Sequence, residues 1–171
     1  MKRHVVLIGL PGAGKTTVGG LVAERLGIPF VDVDAVIARR EGRPVLAIFA
    51  EHGEAAFRDM ERQEVRRVLG RDPAVLAPGG GWAAQPGAVA EARQHALVVY
   101  LRASAETATK RVGPENRATL MSGDPGELMR ELLRDREAAY LEAEATIDTE
   151  HLELAAVVDA VVRLAQGGAG G

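Results

Sequence analysis

Val5-Val6-Leu7-Ile8-Gly9-Leu10-Pro11-Gly12-Ala13-Gly14-Lys15-Thr16 is the stretch on which the fold turns. Val5–Ile8 is a short, uninterrupted apolar run, the pattern of a strand buried on both faces of a parallel sheet. Gly9–Thr16 matches G-x-x-x-x-G-K-[ST] at every required position, and a helical apolar spacing (Val18, Leu21, Val22, Leu26) follows before Gly27 stops it. Strand, glycine-rich loop and helix in that order build a phosphate cradle. The glycines let consecutive backbone N–H groups face inward, and the helix N-terminus adds partial positive charge. In such a loop Lys15 reaches the β- and γ-phosphates and the Thr16 hydroxyl is a Mg²⁺ donor.

Outward from that loop, the same alternation continues. A second strand is expected from Pro29 into Asp32-Val33-Asp34, then helices over about 35–41, 44–51 and 54–69. A third strand at Val75–Ala77 runs into Pro78-Gly79-Gly80-Gly81. Further on come a helix at 88–94, a strand at 96–101 and a helix at 105–111 capped by Ser104. A polar, Gly- and Pro-containing segment at 112–125 reads as a loop, followed by a helix at 127–145, a short strand at 146–148 and a last amphipathic helix at 152–164. The fold class is therefore α/β, a three-layer P-loop fold with a five-stranded parallel sheet and helices on both faces. Ligands of such sheets bind beyond the carboxyl ends of the strands, so Gly9–Thr16, Asp32–Asp34 and Gly79–Gly81 should converge.

At 171 residues, 47% hydrophobic and 26% charged, the chain has the make-up of one globular domain, with a small-residue tail at 167–171. A net charge of −3 gives no reason to expect a nucleic-acid or anionic-membrane partner, and no apolar run is long enough to span a bilayer. Cysteine is absent, which excludes disulfides and thiolate chemistry and suits a reducing, cytoplasmic setting. A monomer is expected.

The cradle's class can be narrowed. A GTPase would carry Asn-Lys-x-Asp, but the only asparagine is Asn116, followed by Arg117. A small kinase remains, and its acceptor site must come from the rest of the chain. Asp32 and Asp34, two apart on an extended strand, would point their carboxylates to one face, one for Mg²⁺ and one to orient and deprotonate a hydroxyl. Arg58 and Glu61 share a helix face, and an Arg fork matches a carboxylate. Gly79–Gly81 can offer backbone donors to an anion. The four histidines show no metal spacing.

Together these residues resemble the shikimate kinase family, of the nucleoside-monophosphate-kinase-like P-loop fold, from Val5 to about Asp148. The matching pieces are Gly-Leu-x-Gly-Ala-Gly-Lys-Thr-Thr-Val-Gly at 9–19, Phe30-x-Asp32-x-Asp34, Ile48-Phe49 with Gly53-Glu54, Phe57-Arg58-x-x-Glu61, Gly79-Gly80-Gly81, Arg117, and Arg136 with Tyr140. The resemblance implies transfer of the ATP γ-phosphoryl group to the 3-hydroxyl of shikimate, with Mg²⁺. It implies ATP contacts from Gly12, Ala13, Gly14, Lys15, Thr16, Thr17 and Arg117, and Mg²⁺ contacts from Thr16 and Asp32. Asp34 would be the base, working with Lys15 and Arg117. Arg58 and Arg136, with the Gly79–Gly81 backbone, would clamp the acceptor carboxylate, and Glu61 would support Arg58. An acceptor-binding part at about 33–61 and a lid at about 112–125 are also implied.

Some positions depart from the family pattern. The lid reads Arg117-Ala118-Thr119-Leu120 where relatives usually have Arg-Pro-Leu-Leu, so φ at 118 is freed. Lys110 replaces a lid-adjacent arginine, and no arginine follows Asp148-Thr149 near the expected adenine. Trp82 would either line the acceptor pocket or cover an edge. Two alternatives stay open: a kinase of the same fold acting on gluconate or a nucleotide, and a non-catalytic nucleotide-binding module.

Overall fold

The structure, a computed structural model, describes residues 3–112 and 123–167. Five strands lie in one all-parallel sheet in the order β2-β3-β1-β4-β5: β1 His4–Ile8, β2 Phe30–Asp32, β3 Val75–Ala77, β4 Ala96–Arg102 and β5 Ala145–Asp148. Seven described helices accompany it: α1 Lys15–Leu26, α2 Val33–Glu41, α3 Val45–Leu69, α4 Ala88–Arg93, α5 Ala105–Arg111, α6 Pro125–Tyr140 and α7 Leu154–Ala165. The sheet is doubly covered because alternate strand residues feed two separate cores. Val6, Ile8, Leu76, Val98 and Tyr100 face α2–α6, whereas Val5, Leu7, Val75, Leu97 and Val99 face α1 and α7. That alternation explains why Val5–Ile8 reads as continuously apolar.

Three boundaries depart from expectation. The second strand stops at Asp32, and Val33 already opens α2. The Asp32 carboxylate accepts the Ala35 amide at 3.1 Å, so it caps the helix and satisfies a donor that a longer strand would not have freed. The helices at 44–51 and 54–69 are two arms of α3, separated by Gly53 at φ 84, ψ 162. α6 ends at Tyr140 and not at 145, because the Glu144 amide pairs with the Val98 carbonyl and starts the β4–β5 ladder. His4 is buried. Its Nδ1 accepts the Ala74 amide while Nε2 faces the Arg71 carbonyl at 3.1 Å, which ties the chain before β3 to β1.

Candidate active site

β1 ends in the phosphate loop. Gly14, at φ 96, turns the chain into α1 without any side-chain cap, and the first i→i−4 bond is Val18 to Gly14 at 2.8 Å. The N–H groups of the first turn are therefore left for a ligand. Gly12 fits only as glycine, since a Cβ there would sit 2.3 Å from the Ala108 carbonyl of α5. Lys15 lies across the loop, donating to the Gly9 carbonyl at 2.6 Å. Burial lowers its pKa to about 8, with the nearby Asp34 carboxylate opposing the change. Thr16 and Thr17 are exposed at the mouth of the loop.

Across from this loop, three consecutive glycines each face a different charged side chain. A Cβ on Gly79 would lie 2.5 Å from Glu61 Oε2 and 2.8 Å from Asp34 Oδ2. One on Gly80 would lie 2.8 Å from Arg136 Nη1, and one on Gly81 2.6 Å from Arg58 Cζ. None of the three has positive φ, so close approach and not backbone conformation demands glycine here. A Cβ on Gly80 would also lie 3.2 Å from Pro11 Cδ and 3.4 Å from the Gly9 carbonyl, so the turn lies against the phosphate loop itself. The convergence anticipated for the three strand ends is therefore present.

The two aspartates part company. Because β2 ends at Asp32, the pair is not two apart on one extended face; Asp32 is a helix cap and Asp34 lies in the first turn of α2. The Asp34 carboxylate is buried beside Glu61, and its Oδ1 has no hydrogen-bond partner among the described residues. Burial, then the Glu61 carboxylate, pushes its pKa up to about 8.

Arg58, on the second arm of α3, is held at both ends. Nη1 donates to Glu61 Oε1 at 3.0 Å and Nη2 to Glu54 Oε1 at 3.2 Å. These carboxylates keep its pKa above the usual value against the opposing effect of burial. Glu61 is fully buried and also accepts the Gly79 amide at 2.9 Å. Two contacts had no signal beyond residue type. The Phe49 and Phe57 rings lie 5.8 and 5.6 Å from Arg58 Cζ, a cation–π floor. The Tyr140 hydroxyl donates to the Gly80 carbonyl at 2.7 Å while its ring stacks on Tyr100. Trp82 is buried between α3 and α4 against the core. Near the expected adenine, Arg111 donates to Thr149 Oγ1 at 3.2 Å, which sets a cation beside the Asp148-Thr149 pair. Arg117 and residues 113–122 of the expected lid lie outside the described residues, as does the tail at 168–171.

A loop built to cradle phosphates thus abuts a glycine turn that faces two guanidinium groups and a buried carboxyl. A family model described as shikimate kinase matches residues 11–166. A shikimate kinase from Thermobifida fusca is 47% identical over 135 residues, covering 79% of this chain and 78% of that one. One from Moorella thermoacetica is 43% identical over 157 residues, covering 92% and 91%. The solved shikimate kinase from Acinetobacter baumannii in complex with shikimate superimposes with a TM-score of 0.90 at 31% identity, covering 100% of this chain and 97% of that one. Matched along nearly its whole length in sequence and in backbone, the chain belongs to the shikimate kinase family.

Proposed function

We infer that this chain transfers the γ-phosphoryl group of ATP to the 3-hydroxyl of shikimate. One observation carries the reading. A Cβ on Gly80 would meet both Arg136 and the phosphate loop, so the loop and the guanidinium proposed to clamp a carboxylate are neighbours. Family membership supplies the acceptor's identity. A gluconate or nucleotide acceptor has no comparable support.

In the proposed step the acceptor oxygen attacks the γ-phosphorus, the bond to the bridging β–γ oxygen breaks, and ADP leaves. The acceptor's proton passes to the Asp34 carboxylate. A base whose pKa lies near 8 works close to the pH at which proton transfer is most effective. The N–H groups of Gly12, Ala13, Gly14, Lys15, Thr16 and Thr17 would hold the phosphates, with Lys15 moving from Gly9 onto the transferred group. Arg58 and Arg136, with Gly79–Gly81, would fix the acceptor carboxylate, which sets the hydroxyl in line and leaves little covalent work for the protein. Glu61 holds Arg58 in place and faces Asp34. We assign to Arg117 the role of stabilising the charge on the moving phosphoryl group.

Mg²⁺ fits the donors that the chain offers. The Thr16 hydroxyl is exposed, and Asp32 uses Oδ1 on its helix cap and keeps a second oxygen. One carboxylate and one hydroxyl, completed by nucleotide phosphates and water, suit this ion better than an all-protein cage. Among the described residues no group of three or more His, Asp or Glu side chains could form such a cage. When bound, the ion would neutralise phosphate charge. Residues 33–61 would act as the acceptor-binding part and 112–125 as the lid. No described helix is long and apolar enough to cross a membrane, which is consistent with a cytoplasmic enzyme.

The test is an ATP-to-ADP assay with shikimate, gluconate and AMP in parallel. Turnover with shikimate alone is expected; transfer to gluconate or AMP would reassign the acceptor, and transfer to none would mark a nucleotide-binding module.

A further inference from the structure

A second cavity lies away from the cleft. It measures about 250 Å³ and sits between the C-terminal arm of α3 and α4. Its walls include Trp82, Val65, Leu69 and Ala92, and none of Asp34, Arg58, Glu61 or Arg136 lines it. Drug-sized pockets run from roughly 300 to 1,000 Å³, so this one suits a molecule of a single ring.

The rim carries charge of one prevailing sign. Arg66 gives Nε and Nη2 to the Glu91 carboxylate at 2.7 and 3.0 Å, and that pair is neutral as a unit. Arg62, one turn earlier on α3, reaches only the Gln85 side-chain oxygen, at 3.5 Å, and has no carboxylate within ion-pair distance among the described residues. It is partly buried and also lies in the field of the Glu91 carboxylate. An apolar slot edged by a largely buried indole, with a guanidinium in its lining that makes no ion pair among the described residues, is complementary to a ring carrying a carboxylate.

We propose that this cavity is a second small-molecule site, one that takes a one-ring carboxylic acid. The ring lies against Trp82 and the carboxylate pairs with Arg62. The site is separate from the acceptor clamp and does not depend on the reaction assigned to the cleft.

Trp82 is the only tryptophan, so intrinsic fluorescence reports from the cavity wall. Phenylacetate is titrated into the full chain with shikimate and ADP held at saturation. A saturable change is expected with a midpoint on the order of 1 mM. Arg62→Ala should raise that midpoint by about tenfold or more. Phenylacetamide, which keeps the ring and loses the charge, and acetate, which keeps the charge and loses the ring, should each bind at least as poorly to the unaltered protein. They probe the same two contacts without any risk to folding. A signal that never saturates overturns the proposal. So does an equal midpoint for phenylacetamide, or a midpoint unmoved in Arg62→Ala. A midpoint that rises with shikimate concentration would place the acid in the acceptor cleft and overturn it too.

Discussion

Glu61 Oε2 accepts the Gly79 amide at 2.9 Å while its other oxygen holds Arg58, so one buried carboxylate ties the Gly79–Gly81 turn to Arg58. The Asp34 carboxyl sits against the same turn. The proposed clamp and the proposed base are thus linked through a single side chain, and substitutions there should separate binding from chemistry.

Asp34→Asn keeps the shape of the side chain and removes the proton acceptor. Turnover should fall by several orders of magnitude with the Kd for ATP nearly unchanged. Steady-state rates alongside an ATP-binding titration check this, and a rate within a few-fold of the unaltered enzyme would take Asp34 out of the chemistry.

The same carboxyl sets a pH dependence of stability. Its pKa is about 8 folded against 3.8 for an ordinary aspartate, so the folded state holds a proton that the unfolded state releases between those pH values. Its contribution to stability therefore falls as pH rises from about 4 to about 8 and is level outside that window. In Asp34→Asn the decline should be shallower, with the variant gaining on the unaltered protein toward pH 8. Urea midpoints across this range measure it.

Arg58→Ala should weaken shikimate binding by about 2–5 kcal/mol. It also strands Glu61, which has no exposed surface, and breaking such a pair costs about 3–5 kcal/mol of stability. Adding Glu61→Gln should restore much of that stability and none of the affinity. Unfolding midpoints and shikimate KM, measured on both variants, separate the two effects.

Glycines at two ends of the cleft should fail differently. Gly81→Ala meets the Arg58 guanidinium, which can swing aside, so the fold should survive while shikimate KM rises. Gly12→Ala meets the Ala108 backbone carbonyl at φ 85, where neither partner can yield, so loss of stability should dominate. Thermal melts and kinetics on the pair decide this.

Tyr140→Phe removes the hydroxyl that holds the Gly80 carbonyl inside the core. The expected cost is about 1–3 kcal/mol, with shikimate KM raised more than ATP KM because Gly80 faces Arg136. Equal changes in the two KM values would make the contact purely structural.

The phosphate loop was legible from the chain alone because its determinants are local: a strand, glycines at fixed offsets and a helix start lie within twelve consecutive residues. The alternating apolar runs likewise announced a parallel sheet. Ser104 as the cap of α5 was legible for the same reason, since its side chain accepts the Thr107 amide three residues on. The split of Asp32 from Asp34 was not, because both residues suit a strand end or a helix start. The choice was settled by where β3 stops pairing with β2, at Asp32 opposite Ala77.

Local order in the chain thus determined the layered α/β fold, the phosphate cradle and the types of residue available for an acceptor. Tertiary structure alone decided which of those residues meet. Gly79, Gly80 and Gly81 offer only backbone donors until folding brings Glu61 from α3, Asp34 from α2 and Arg136 from α6 against them, across separations of 18 to 56 residues in the chain. Such meetings depend on packing between distant elements, and no periodicity or spacing within one segment encodes them.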